Sequence, residues 1–91
     1  MPIAITFTPA SMTAPQFDEV HRKLAAAGAA TPPGRTCHLC FGSGNRLRVL
    51  DVWDTLEQFQ KFGETRMPII TQMGIDPGVP DIQPLYEVRI G

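Results

Sequence analysis

The sequence predicts an α+β domain of element order β-α-β-β-α-β. Three observations carry that expectation: alternating, β-branched runs at both ends of the chain, two helix starts marked by capping boxes, and a Gly42-Ser43-Gly44-Asn45 turn between two apolar runs. The first run, residues 3–8 (Ile-Ala-Ile-Thr-Phe-Thr), reads as a strand ended by Pro9. Thr13-Ala14-Pro15-Gln16 then offers an N-cap Thr, a Pro in the first turn and Gln at N3. The helix that follows has Phe17, Val20, Leu24 and Ala27 on one face, Asp18, Glu19, Arg22 and Lys23 on the other, and Gly28 as its stop; His21, beside the charged residues, is expected to be exposed.

A stiff loop, residues 29–34, leads into a hairpin of strands 35–41 and 46–53. Asp54-Thr55-Leu56-Glu57 is a second capping box, with Asp54 as N-cap and Glu57 at N3. Its helix carries the stripe Leu56, Phe59, Gly63, Met67 and Ile70, and Pro68 within it predicts a kink or a restart, because proline cannot donate to the Glu64 carbonyl. Residues 74–84 form the longest loop, and the alternating run 85–90 is expected to be the last strand. This order is that of the ferredoxin-like arrangement, a four-stranded antiparallel sheet with both helices on one face, over a single domain of residues 1–91.

Composition narrows the function classes. Eight Lys and Arg against nine Asp and Glu leave a net charge of −1, and only Arg46 and Arg48 cluster, so nucleic acid is not an expected partner. No apolar run of about 20 residues could span a bilayer, and the start lacks the pattern of a signal peptide, which makes the cytoplasm the default location. Cys37 and Cys40 lie three residues apart on one strand, about 10 Å in extended backbone, whereas a disulfide needs Cα atoms within about 7 Å. They read as free thiols. Zinc would require two further ligands, and His21 and His38 are the only histidines, so no metal and no cofactor is expected.

The hairpin implies a partner. With Phe41 opposite Arg46, one face carries Thr36, His38, Cys40, Leu47, Val49, Asp51 and Trp53, and the other carries Arg35, Cys37, Leu39, Phe41, Arg46, Arg48, Leu50 and Val52. A sheet covered on one side alternates cleanly between apolar and polar, yet this hairpin is apolar on both. The chain's helices cover one face; a second copy, packed sheet to sheet by two-fold symmetry, is the simplest cover for the other.

The β-α-β-β-α-β order, the strand end Val49-Leu50-Asp51-Val52-Trp53, the helix start Asp54-Thr55-Leu56-Glu57-Gln58-Phe59, and Phe62 and Pro68 beyond it resemble the dimeric α+β barrel superfamily near its antibiotic-biosynthesis-monooxygenase-like members. The resemblance covers nearly the whole chain. It implies a homodimer whose sheets form a barrel, with a cleft for a small apolar or aromatic ligand between sheet and helices in each subunit. Its members include cofactor-independent oxygenases of polycyclic aromatics and haem-degrading monooxygenases. The haem branch uses an Asn on the first strand and a Trp and an iron-ligating His on the second helix; here residues 3–8 contain no Asn, and Phe62 and Gln72 stand near the other two positions. The haem-degrading set is absent.

Candidate chemistry centres on His38. In the assumed register Asp51 is its diagonal neighbour, close enough to orient the ring and raise its basicity, which would make His38 a general base toward a phenol or an activated C–H. Trp53 and Phe62 would be apolar walls of the pocket, and Tyr86 on the last strand could donate a hydrogen bond into it. Arg46 and Arg48, on the opposite face, would sit at the dimer seam or the sheet rim. The expected function is small-molecule binding by a homodimer, with cofactor-independent monooxygenase-like chemistry as its enzymatic form. The competing class is a non-catalytic ligand-binding or structural dimer in which His38 is inert.

Overall fold

A computed structural model describes residues 1–91 as β1 (Ile3–Phe7), α1 (Ala14–Ala26), β2 (Arg35–Phe41), β3 (Arg48–Trp53), α2 (Leu56–Gln72) and β4 (Asp81–Pro84). The strands form one antiparallel sheet in the order β2-β3-β1-β4. Ile5 and Phe7 of β1 and Val49 and Trp53 of β3 meet Val20 and Leu24 of α1 and Phe62 and Ile70 of α2 in one core, so both helices pack on the same side of the sheet. This is the ferredoxin-like α+β arrangement.

Helix α1 starts where its sequence signals place it. The Thr13 backbone N–H donates to Gln16 Oε1 at 2.9 Å, the Gln16 N–H donates to Thr13 Oγ1 at 3.4 Å, and Gly28 beyond the helix takes a φ of +77°. Helix α2 starts one residue later than expected. Asp54 is still tied to the sheet end, its N–H donating to the Gly34 carbonyl at 2.8 Å, so Thr55 becomes the N-cap and accepts from the Gln58 N–H at 3.2 Å. Pro68 neither ends nor restarts α2, which runs through it as one helix. Phe62 and Ile70, on either side of Pro68, are both buried in the one core, and their burial offsets the roughly 3 kcal/mol a helical proline costs.

The β2–β3 hairpin also differs from its expected register. Phe41 pairs with Arg48 rather than Arg46, and His38 pairs directly with Asp51. The cause lies in the turn. Met12 donates its N–H to the Asn45 carbonyl at 2.7 Å, and Leu47 donates to the Met12 carbonyl at 3.3 Å, which draws residues 45–47 toward the segment before α1 and lengthens the loop. Gly42 makes the entry to this loop with a φ of +115°, and a Cβ there would stand 2.5 Å from the Arg46 carbonyl oxygen. From Cys37 onward the face assignments survive, because the shift preserves the alternation. Before it they do not: a bulge lets Thr36 stand extra between the pairs Arg35–Trp53 and Cys37–Val52, which moves Arg35 to the helix side.

The last strand is not 85–90. Strand β4 is Asp81–Pro84, pairing with Thr6 through Ile3 of β1, and Leu85 makes the final backbone tie to the Pro2 carbonyl at 3.0 Å. Strand β1 begins at Ile3, and residues 86–91 pair with no strand of their own chain, despite their alternating pattern. The face of the sheet away from the helices presents Cys37, Leu39 and Phe41 beside Leu50, and Leu39 and Phe41 are 52% and 46% exposed.

Candidate functional site

A cavity of about 50 Å³ lies between the sheet and the two helices, below the ~300–1,000 Å³ of most small-molecule sites, so a ligand of ordinary size enters only as its walls part. Its wall is mostly apolar, built from Phe7, Met12, Phe17, Val20, Phe62 and Ile70 among others. Five polar side chains interrupt that wall: His21, Arg35, His38, Asp51 and Arg66.

The strand pairing sets the centre of this group. Because His38 and Asp51 are cross-strand partners on the helix-side face, their side chains project together, and His38 Nδ1 lies 2.5 Å from Asp51 Oδ1. Asp51 is the one buried charged residue of the chain, 3% exposed. The other nitrogen of His38 meets α1: Nε2 lies 3.3 Å from Nε2 of His21. Phe17 stacks on His38 with ring centroids 5.9 Å apart and 7° between planes, and touches His21 at 4.3 Å. A consistent proton assignment follows from the acceptors. Asp51 accepts only, so His38 donates through Nδ1, and a neutral His38 then accepts at Nε2 from the His21 Nε2–H. Asp51, His38 and His21 form a hydrogen-bonded chain along one wall.

His21 is therefore not the exposed residue that its charged neighbours suggested. It is half-buried, and burial first, with the neighbouring His38 and Arg35 next, pushes its pKa below the ordinary 6.5. The signal was available: Phe17, Val20, His21 and Leu24 are spaced i, i+3, i+4 and i+7, one continuous helical face. Arg66 of α2 was also missed, as a charge beside Met67 in a long amphipathic stretch. Its guanidinium lies 4.4 Å from the centroid of the Phe7 ring, and burial lowers its pKa.

Of the other expected site residues, Phe62 lines the cavity. Trp53 does not; it is fully buried one layer behind, its ring centroid 5.3 Å from that of Phe62, and its indole N–H has no acceptor. Tyr86 is fully exposed on the segment after β4 and takes no part in the site, because the strand expected to carry it into the sheet ends at Pro84. Arg46 and Arg48 are exposed and away from this cavity. Cys37 and Cys40 are free thiols on opposite faces of β2, and burial raises the Cys40 thiol pKa. No three His, Cys, Asp or Glu side chains converge as a metal site.

A four-stranded antiparallel sheet, two helices on one face and a cavity between the layers define the α+β fold of the antibiotic-biosynthesis-monooxygenase-like proteins, and solved structures of that kind superpose on the whole chain. A provisionally named antibiotic biosynthesis monooxygenase from Chloroflexus aurantiacus matches with a TM-score of 0.65 and 16% identity over 100% of both chains. One from Caulobacter crescentus matches with a TM-score of 0.65 and 23% identity, over 97% of this chain and 91% of its own. SnoaB from Streptomyces nogalater, a cofactor-independent oxygenase, matches with a TM-score of 0.60 and 17% identity over 96% of this chain and 93% of its own. No family model matches the sequence, and no curated protein shows significant similarity to it. No helix is long and apolar enough to cross a membrane.

Proposed function

We propose that the chain is a cofactor-independent, monooxygenase-like enzyme that acts on a small apolar or aromatic metabolite in the cavity between sheet and helices. The observation that carries this reading is the Asp51–His38–His21 chain set in an otherwise apolar wall. Asp51 fixes the tautomer and orientation of His38, leaving a lone pair at Nε2 to act as base. Substrate takes the place of the His21 N–H at that lone pair and gives up a proton from an activated C–H or a phenol. The resulting anion supplies electrons to molecular oxygen without a separate reductant. Overall a ring methylene and O2 become a carbonyl and water, one oxygen atom in each product. The shared fold with SnoaB supports this class of chemistry.

An activated-methylene arene such as anthrone is a direct probe. Oxygen uptake equal in moles to carbonyl formed, falling by about 10²–10⁴ in His38→Ala, is the expected result for a general base. Uptake no faster than in protein-free buffer would remove the enzymatic reading. One feature favours the alternative, a non-catalytic binding protein: both ring nitrogens of His38 are already satisfied inside the fold.

The functional unit in this proposal is a homodimer. Leu39 and Phe41 lie exposed on the sheet face away from the helices, and a second copy facing it by two-fold symmetry would bury them. Light scattering at micromolar concentration should give twice the chain mass, and Phe41→Glu should halve it. A wild-type monomer would sink the dimer.

A further inference from the structure

We infer that the ligand of this cavity is an anion, a compact ring system bearing a carboxylate or equivalent single-charged oxyanion, anchored by Arg66. The inference rests on the proposed function only in taking the cavity as a small-molecule site.

Arg66 has no partner of its own. The chain's ion pairs join Arg22 and Lys23 to Glu19, His38 to Asp51, and Arg89 to Glu87, and none involves Arg66. Its only polar contact is the Met67 sulfur at 3.7 Å, a weak acceptor for a group with five N–H donors. Arg35 stands in a similar position. It spends one hydrogen bond on the Ala30 carbonyl at 3.1 Å, holds its guanidinium 5.8 Å from the Phe62 ring centroid, and forms no ion pair. The one carboxylate among the lining residues, Asp51, is engaged by His38. Two arginines against one aspartate among the lining residues leave their fixed charges one positive in excess.

Arg66 is partly withdrawn from water and forms no ion pair, and the nearby Asp51, already engaged by His38, only partly offsets the burial that weakens the guanidinium's hold on its proton. A monoanion entering the cavity would restore the balance. A carboxylate suits the group best, because its two oxygens match the guanidinium fork. The apolar remainder of the wall, with the rings of Phe7 and Phe62 beneath the two arginines, suits an apolar body, and at about 50 Å³ the cavity must widen to take a ring.

Isothermal titration at pH 7 with 2-naphthoate and its neutral isostere 2-naphthamide tests this on the intact protein. Wild type should bind the acid about tenfold or more tighter than the amide, the margin of one charge-assisted pair. Arg66→Gln should weaken the acid alone and bring the two within about twofold, and Arg66→Lys should keep part of the preference. Equal binding of acid and amide by wild type would overturn the inference while leaving the cavity a binding site. A preference that survives Arg66→Gln and disappears in Arg35→Gln would overturn the assignment to Arg66. Failure of both probes to bind wild type would overturn the inference together with the small-molecule reading beneath it.

Discussion

Removing either partner of the His38–Asp51 pair should destabilise the protein unequally, and the inequality follows from burial. The Asp51 side chain is 5% exposed and the His38 side chain 23%. In His38→Ala the carboxylate stays in place, nearly water-free, without its 2.5 Å donor. Breaking a buried pair in that way costs ~3–5 kcal/mol. In Asp51→Ala the charge itself is gone, and the orphaned His38 Nδ1–H can turn toward water through its exposed edge. The loss is then that of a charge-assisted hydrogen bond, ~1.5–3 kcal/mol, partly offset by the desolvation no longer incurred. In the double variant the stranded carboxylate is absent, so its stability should approach that of Asp51→Ala rather than the sum of the two losses. For a domain of this size each kcal/mol corresponds to ~4–8 °C in Tm, so His38→Ala should melt at least ~10 °C below wild type. Chemical denaturation of the four proteins closes the cycle, provided their m-values agree. Additive losses, or a larger loss for Asp51→Ala than for His38→Ala, would refute the burial argument.

Two further outcomes follow from the structure. Because the folded-state pKa of His21 is depressed below 6.5, the unfolded chain binds more protons as pH falls below that value; stability is full above about 6.5 and declines through the window beneath it. Melting curves between pH 7.5 and 5.5 should show that decline, and His21→Phe should flatten it relative to wild type, against a background set by the facing groups His38, Arg35, Asp51 and Asp18. Gly42→Ala should lose ~1–3 kcal/mol by denaturant titration, since its φ of +115° and the nearby Arg46 carbonyl leave no room for a Cβ, whereas Gly63→Ala, where a Cβ meets nothing within 4 Å, should be neutral or stabilising.

The element order was legible because each element carries its own local signal, as the Thr13–Gln16 capping box shows. What escaped depended on contacts far apart in sequence. The capture of residues 45–47 by Met12 reset the hairpin, and the pairing of β1 with Asp81–Pro84 left 85–90 outside the sheet; neither partner is visible from the segment it controls. The site divides the same way. His38 and Asp51 were readable together because strand alternation is a rigid rule that tolerates a register error of this kind. Arg35 was assigned to the wrong face because one bulged residue inverts the rule, and His21 was set aside because its immediate neighbours, rather than its turn-spaced ones, were weighed.

The single tryptophan stands one ring away from the cavity, sealed from water and with an unpartnered N–H. Its emission should therefore be blue-shifted and insensitive to small quenchers. An occupant that displaces Phe62 would perturb it, because that ring is its neighbour, while events on the outer sheet face occur on the far side of the backbone from the indole. One unlabelled sample thus reports the two processes on separate channels: emission follows what enters between sheet and helices, and hydrodynamic size follows what gathers on the other side.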